Sequence, residues 1–78
     1  DLKKSLRLLR IAANNGNDEA MNLLAFTIHN GDGIIADFEE AEKYYKMAIE
    51  HGNAIAMNNY AYMLEKGHRS SEILQNGN

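Results

Sequence analysis

NDEAMNLLAFTIHNG at residues 17–31 returns as NAIAMNNYAYMLEKG at residues 53–67, with Asn, Ala, Met, Asn, Ala and Gly each displaced by 36 positions. The echo continues outward, because Asp1, Ala12 and Gly16 recur as Asp37, Ala48 and Gly52. A fixed period of this length marks a stacked supersecondary unit, one that buries its apolar face only against its neighbours. After Gly67 the pattern stops, and His68 to Ser71 stand where a glycine, an aliphatic residue and a spaced aspartate are due.

Within each period the apolar residues follow a helical spacing. Leu2, Leu6, Leu9 and Ala13 form one edge and Ser5, Leu8 and Ala12 the next, which predicts a helix from 2 to about 14. Gly16 ends it, and Asn17 or Asp18 caps a second helix running to about Asn30, with Ala20, Met21, Leu24, Ala25 and Ile28 as its buried stripe. Gly31 and Gly33 stop that helix. Asp37 and Glu40 make a capping-box-like start for a third, to about His51, which buries Phe38, Ala41, Tyr44, Tyr45, Ala48 and Ile49. Its outer face carries Glu39, Glu42, Lys43, Lys46 and Glu50, with Glu39/Lys43 and Glu42/Lys46 spaced as i,i+4 pairs. Gly52 and Asn53 repeat the turn, and 54 to about 66 repeat the second helix. Ser71 can cap a further short helix through Leu74. The fold class is all-α, about four helices plus that short C-terminal one. Residues 17–52 are one full repeat, 1–16 and 53–67 half repeats, and 68–78 a degenerate cap or tail.

Composition bounds the function. The 78 residues carry a formal charge of −3, which disfavours nucleic acid, because phosphate binding needs a basic stripe. No apolar run is long enough to cross a bilayer, and no signal peptide or initiating Met is present, so the chain reads as a piece of a longer protein. Cysteine is absent, which excludes disulfides and thiolate sites and is compatible with a reducing compartment. Proline is absent too, and no linker divides the chain.

The joint spacing resembles the Sel-one-like repeats, relatives of the tetratricopeptide repeat with a slightly longer unit. The residues that carry the resemblance run without a gap from Ala20, Leu24, Ala25 and Ile28 through Gly31, Gly33, Ile34 and Asp37 to Glu40, Ala41, Tyr44, Tyr45, Ala48, Ile49 and Gly52. Ala25 replaces a glycine, Ile28 a tyrosine, Glu40 a lysine, Tyr44 a tryptophan and Ile49 an alanine of the family pattern. The resemblance covers residues 1 to 67. It implies a right-handed superhelix of antiparallel helix pairs, with the first helix of each pair lining a concave groove.

That groove would be lined by Glu19, Asn22, Phe26 and His29, and by their counterparts Ile55, Asn58, Tyr62 and Glu65. Asn22 and Asn58 either form a short amide ladder for an extended peptide or are solvated or bonded between repeats. Phe26 and Tyr62 either supply apolar contact beside the ladder or pack within the solenoid. Tyr44, Tyr45, Tyr60 and Tyr62 read as core rather than as a stacking box for bases. His29, His51 and His68 lie in different elements without Cys or an i,i+4 partner, so no metal site is expected. Gly31-Asp32-Gly33 lacks the lysine of a phosphate loop and the carboxylates of a calcium loop, and reads as a turn. No catalytic constellation and no cofactor site stand out.

The expected function is non-catalytic: a scaffold or adaptor module that offers its groove to a peptide or protein partner. The alternative is a self-association unit, a homodimer formed through exposed terminal repeat faces. Neither nucleic acid nor direct membrane insertion is expected.

Overall fold

The computed structural model describes residues 2–31 and 36–68, with only the backbone of 67 and 68. Four α-helices follow one another: α1 (Leu2–Asn14), α2 (Asp18–Asn30), α3 (Phe38–Glu50) and α4 (Ala54–Met63), and α4 runs on into a π-helical turn, Leu64–His68. Of the expected Gly31-Asp32-Gly33 turn only Gly31 is among the described residues, and the short helix after Ser71 lies outside them. Each helix packs on the next, and α2 also touches α4, giving an all-α helical repeat.

The repeated turns explain why the helices fold back so tightly. After α1, the Gly16 N–H donates to Ala13 O at 3.0 Å and the Asn17 N–H to Ala12 O at 3.0 Å. After α3, Gly52 donates to Ile49 O at 2.8 Å and Asn53 to Ala48 O at 3.0 Å. This pair of bonds satisfies carbonyls that a helix end leaves orphaned, and it needs a left-handed residue in the middle, which Gly16 (φ 95°) and Gly52 (φ 85°) supply. The asparagine that closes one helix then opens the next: Asn17 Oδ1 accepts from Ala20 N at 2.9 Å, and Asn53 Oδ1 from Ala56 N at 2.8 Å. Of the two candidate caps for α2, Asn17 therefore fills the role. Gly31 ends α2 in a left-handed cap (φ 68°), where a Cβ would also come within 2.9 Å of the Ala36 Cβ.

The core lies between α2 and α3. All five residues of the α2 stripe are buried, as are Ala41, Tyr44, Tyr45 and Ala48 of α3, while Phe38 and Ile49 are only partly covered. Alanines at 25, 41 and 48 let the helices approach closely, and Met21, Leu24, Ile28 and Tyr45 fill the remaining space. Each fully buried aliphatic side chain of this kind contributes about 1.5–3 kcal/mol.

Three details depart from the sequence expectation. The capping box at α3 is half formed: Asp37 Oδ1 accepts from Glu40 N at 3.1 Å, but the Glu40 carboxylate turns away to Arg10 of α1. A guanidinium offers it two charged donors, which outcompete one backbone N–H, and Asp37 N–H finds Ile28 O at 3.4 Å instead. Glu42 does not stay on a solvated face with Lys46 but accepts from the Tyr60 hydroxyl at 2.5 Å. Finally, the α-helical part of the last repeat ends at Met63, short of the expected 66, because the backbone widens into the π turn.

Candidate interaction face on α2 and α4

The eight expected groove residues separate into those the fold brings together and those it leaves apart. Phe26, His29 and Tyr62 converge: the Phe26 and His29 rings lie edge to face at 6.3 Å, and the His29 and Tyr62 rings at 6.4 Å. Phe38, from the start of α3, joins them at 5.9 Å from His29. Helix spacing causes this, since Phe26 and His29 are neighbours on α2 and the 36-residue repeat puts Tyr62 at the matching place on α4. Phe26 keeps 39% of its surface exposed and Tyr62 55%, so the cluster is open to solvent.

His29 sits half-buried at its centre, and its Nδ1 is buried without a hydrogen-bond partner. Burial lowers the imidazole pKa below its ordinary value of 6.5, so the ring is neutral at pH 7 and behaves as a fourth aromatic surface. A recess of about 230 Å³ shares Phe38 with this cluster; Met63 adds apolar wall, and Glu39 and Glu42 add carboxylates.

Asn22 and Asn58 are not brought together. Asn22 is half-buried and its Oδ1 accepts from Asn59 Nδ2 at 3.0 Å, whereas Asn58 is exposed. Glu19, Ile55 and Glu65 are exposed as well, and Glu19 borders a different groove, between α1 and α2. Two participants are not expected from the sequence. Phe38 reads as core because helical spacing puts it on the buried edge of α3 with Ala41 and Tyr45, and Asn59 carries no repeat signal because its counterpart 36 residues earlier is Leu23.

A second polar link runs parallel to the first. Asn53 Nδ2 donates to Asp18 Oδ2 at 2.8 Å, so the cap of α4 is tied to the first residue of α2. Together with Arg10–Glu40, these bonds hold the α1–α2 pair in one register against the α3–α4 pair. The Arg10 bond to Glu40 raises the guanidinium pKa above its ordinary value against the opposing effect of desolvation.

Of the four tyrosines read as core, Tyr44 and Tyr45 are buried and Tyr60 is half-buried with its ring 5.9 Å from that of Tyr45, whereas Tyr62 is not core but 55% exposed, on the open side of the His29 cluster. The Tyr60 hydroxyl pKa rises to about 12, chiefly through its bond to Glu42, and burial alone lifts Tyr45 to about 12. Both therefore act as neutral packing groups.

The family profile described as Sel1 repeat matches residues 1–17, 18–53 and 54–78. The match thus runs past residue 67, where the glycine pattern stops. No curated protein and no solved structure matches the chain.

Proposed function

The chain belongs to the Sel1 repeat family, whose repeats are generally protein-interaction modules, and from that premise we propose that it binds a polypeptide partner through the α2/α4 face. The observation that carries the reading is the open cluster of Phe26, His29 and Tyr62. Aromatic side chains half exposed on rigid helices bury a large area at little entropic cost, which is why such groups dominate binding energy at interfaces. The neighbouring recess adds Glu39 and Glu42, so the partner presents an apolar side chain to the aromatic cluster and a Lys or Arg beside it. Asn58, exposed and unencumbered by the Asn22–Asn59 link, is the amide best placed to bond a partner's backbone.

Selection of peptides from a random library against the folded module, followed by titration calorimetry on variants, tests this. Phe26→Ala and Tyr62→Ala each weaken the selected peptides at least tenfold, and Glu39→Gln weakens them less and in a salt-dependent way. Peptides whose affinity both aromatic substitutions leave unchanged, with helicity intact by circular dichroism, would rule this face out.

A further inference from the structure

His29 is the one side chain of the α2/α4 aromatic cluster that titrates near neutrality, and three elements close on it. Phe26 comes from α2 itself, Phe38 from the start of α3 and Tyr62 from α4, with ring centroids 5.9 to 6.4 Å from the imidazole. The Nδ1 atom is buried and has no hydrogen-bond partner. One repeat later the matching position is Glu65, which is exposed, so the arrangement occurs once in the period.

The charged groups on the same elements are engaged elsewhere or face water. On α2, Asp18 accepts from Asn53, and Glu19 is exposed at the other end of the helix. At the start of α3, Asp37 caps the helix, Glu40 pairs with Arg10, Glu42 accepts from Tyr60, and Glu39 is exposed. Beyond α4, Glu65 and Lys66 are exposed as well. Among the described residues no carboxylate bonds to the ring, and burial alone acts on it, holding its pKa below 6.5.

Protonation turns both ring nitrogens into donors and adds a charge. At Nδ1 that places an N–H where no acceptor stands, and a partner that covers the cluster strips water from the rest of the ring. The protonated ring is thus disfavoured more in the complex than in the free module. We propose that the α2/α4 face takes an uncharged apolar side chain over His29 only while the ring is neutral, and releases it on mild acidification. The inference rests on the reading of that face as the binding surface. It narrows the partner to an apolar group at His29, with its Lys or Arg confined to the recess at Glu39 and Glu42. Because the bound state holds fewer protons, affinity is complete above pH 6.5 and falls as pH drops through the lower pKa of the free ring.

The probes are peptides selected from a random library at neutral pH and free of His, Asp and Glu, titrated calorimetrically into the module while circular dichroism shows it folded. The dissociation constant is expected to rise about fivefold or more from about pH 7.5 to about pH 5, a window above the ordinary carboxylate range. In His29→Phe the same ratio should stay within about twofold, whatever the affinity of that variant at neutral pH. By NMR, the His29 ring protons should titrate at a lower pH in the complex than in the free module. Peptides that Phe26→Ala weakens but whose affinity does not change with pH would overturn this inference and leave the face standing. So would an affinity that rises on acidification, which attraction of a cationic ring to Phe and Tyr would produce. Peptides that neither Phe26→Ala nor Tyr62→Ala weakens would overturn both readings.

Discussion

Helices α2 and α4 are the same motif in two settings. Met21 is 1% exposed and Met57 50%; Ala25 is buried and Ala61 exposed; Ile28 is buried and Leu64, in the matching position, is 38% exposed. The residue types agree, so the difference comes from neighbours: α2 lies between α1 and α3, whereas α4 has α3 on one side and no described helix on the other. Burial in a repeat protein belongs to the position in the stack and not to the residue. Among the described residues, α4 therefore exposes apolar positions that its counterpart α2 buries.

The largest test of this contrast is a pair of identical truncations. Met21→Ala should cost about 2–5 kcal/mol, since it opens a cavity between α2 and α3, while Met57→Ala should stay within about 0.5 kcal/mol. Urea denaturation of both variants checks it; equal losses would mean that α4 is covered in solution as α2 is. A smaller effect separates the two capping asparagines. Asn17→Ala removes a cap and should cost about 1 kcal/mol, but Asn53→Ala also removes the bond to Asp18 and should cost about 2 kcal/mol. Identical values would place the Asn53–Asp18 bond among exposed contacts that contribute nothing.

The smallest effect concerns His29, which is half-buried in the aromatic cluster while its counterpart Glu65 is exposed. Burial favours the neutral ring, so the folded pKa lies below the unfolded value of 6.5. Above that value neither state holds the proton and the full stability is present. As pH falls below it, the unfolded chain takes up the proton first, and stability drops until the lower folded pKa is passed. Thermal melts should show the midpoint decreasing between pH 7 and pH 5, and His29→Phe should flatten that decrease. An unchanged slope in the variant would locate the pH response elsewhere.

The helices are legible in the sequence because their signals are local. Gly16 and Asn17 mark a turn wherever they occur together, and the apolar period of α2 is enough by itself to pick out all five of its buried residues. The candidate site is legible in part: Phe26, His29 and Tyr62 converge because helix spacing and the 36-residue period both act on them. Pairing over distance is what the sequence hides. Glu40 reads as half of a capping box until Arg10, 30 positions earlier, competes for it. Asn22 and Asn58 read as equivalent positions facing a peptide or bonded between repeats, and it is Asn59, which the repeat pattern does not mark, that donates to Asn22 across the repeats. Repeat symmetry specifies which residues are equivalent, whereas contact depends on how one repeat sits against the next.

The order of packing along the chain has a kinetic consequence. Apart from the α2–α4 contact, the helices that pack extensively are sequence neighbours, so few large loops need to close before contacts form, and folding of such a topology is fast. The α2–α3 hairpin holds most of the fully buried side chains and can serve as a template on which α1 and α4 each condense from opposite ends. Unfolding then runs in reverse, from the rims inward. The expected order is that of a short zipper whose middle teeth engage first and part last.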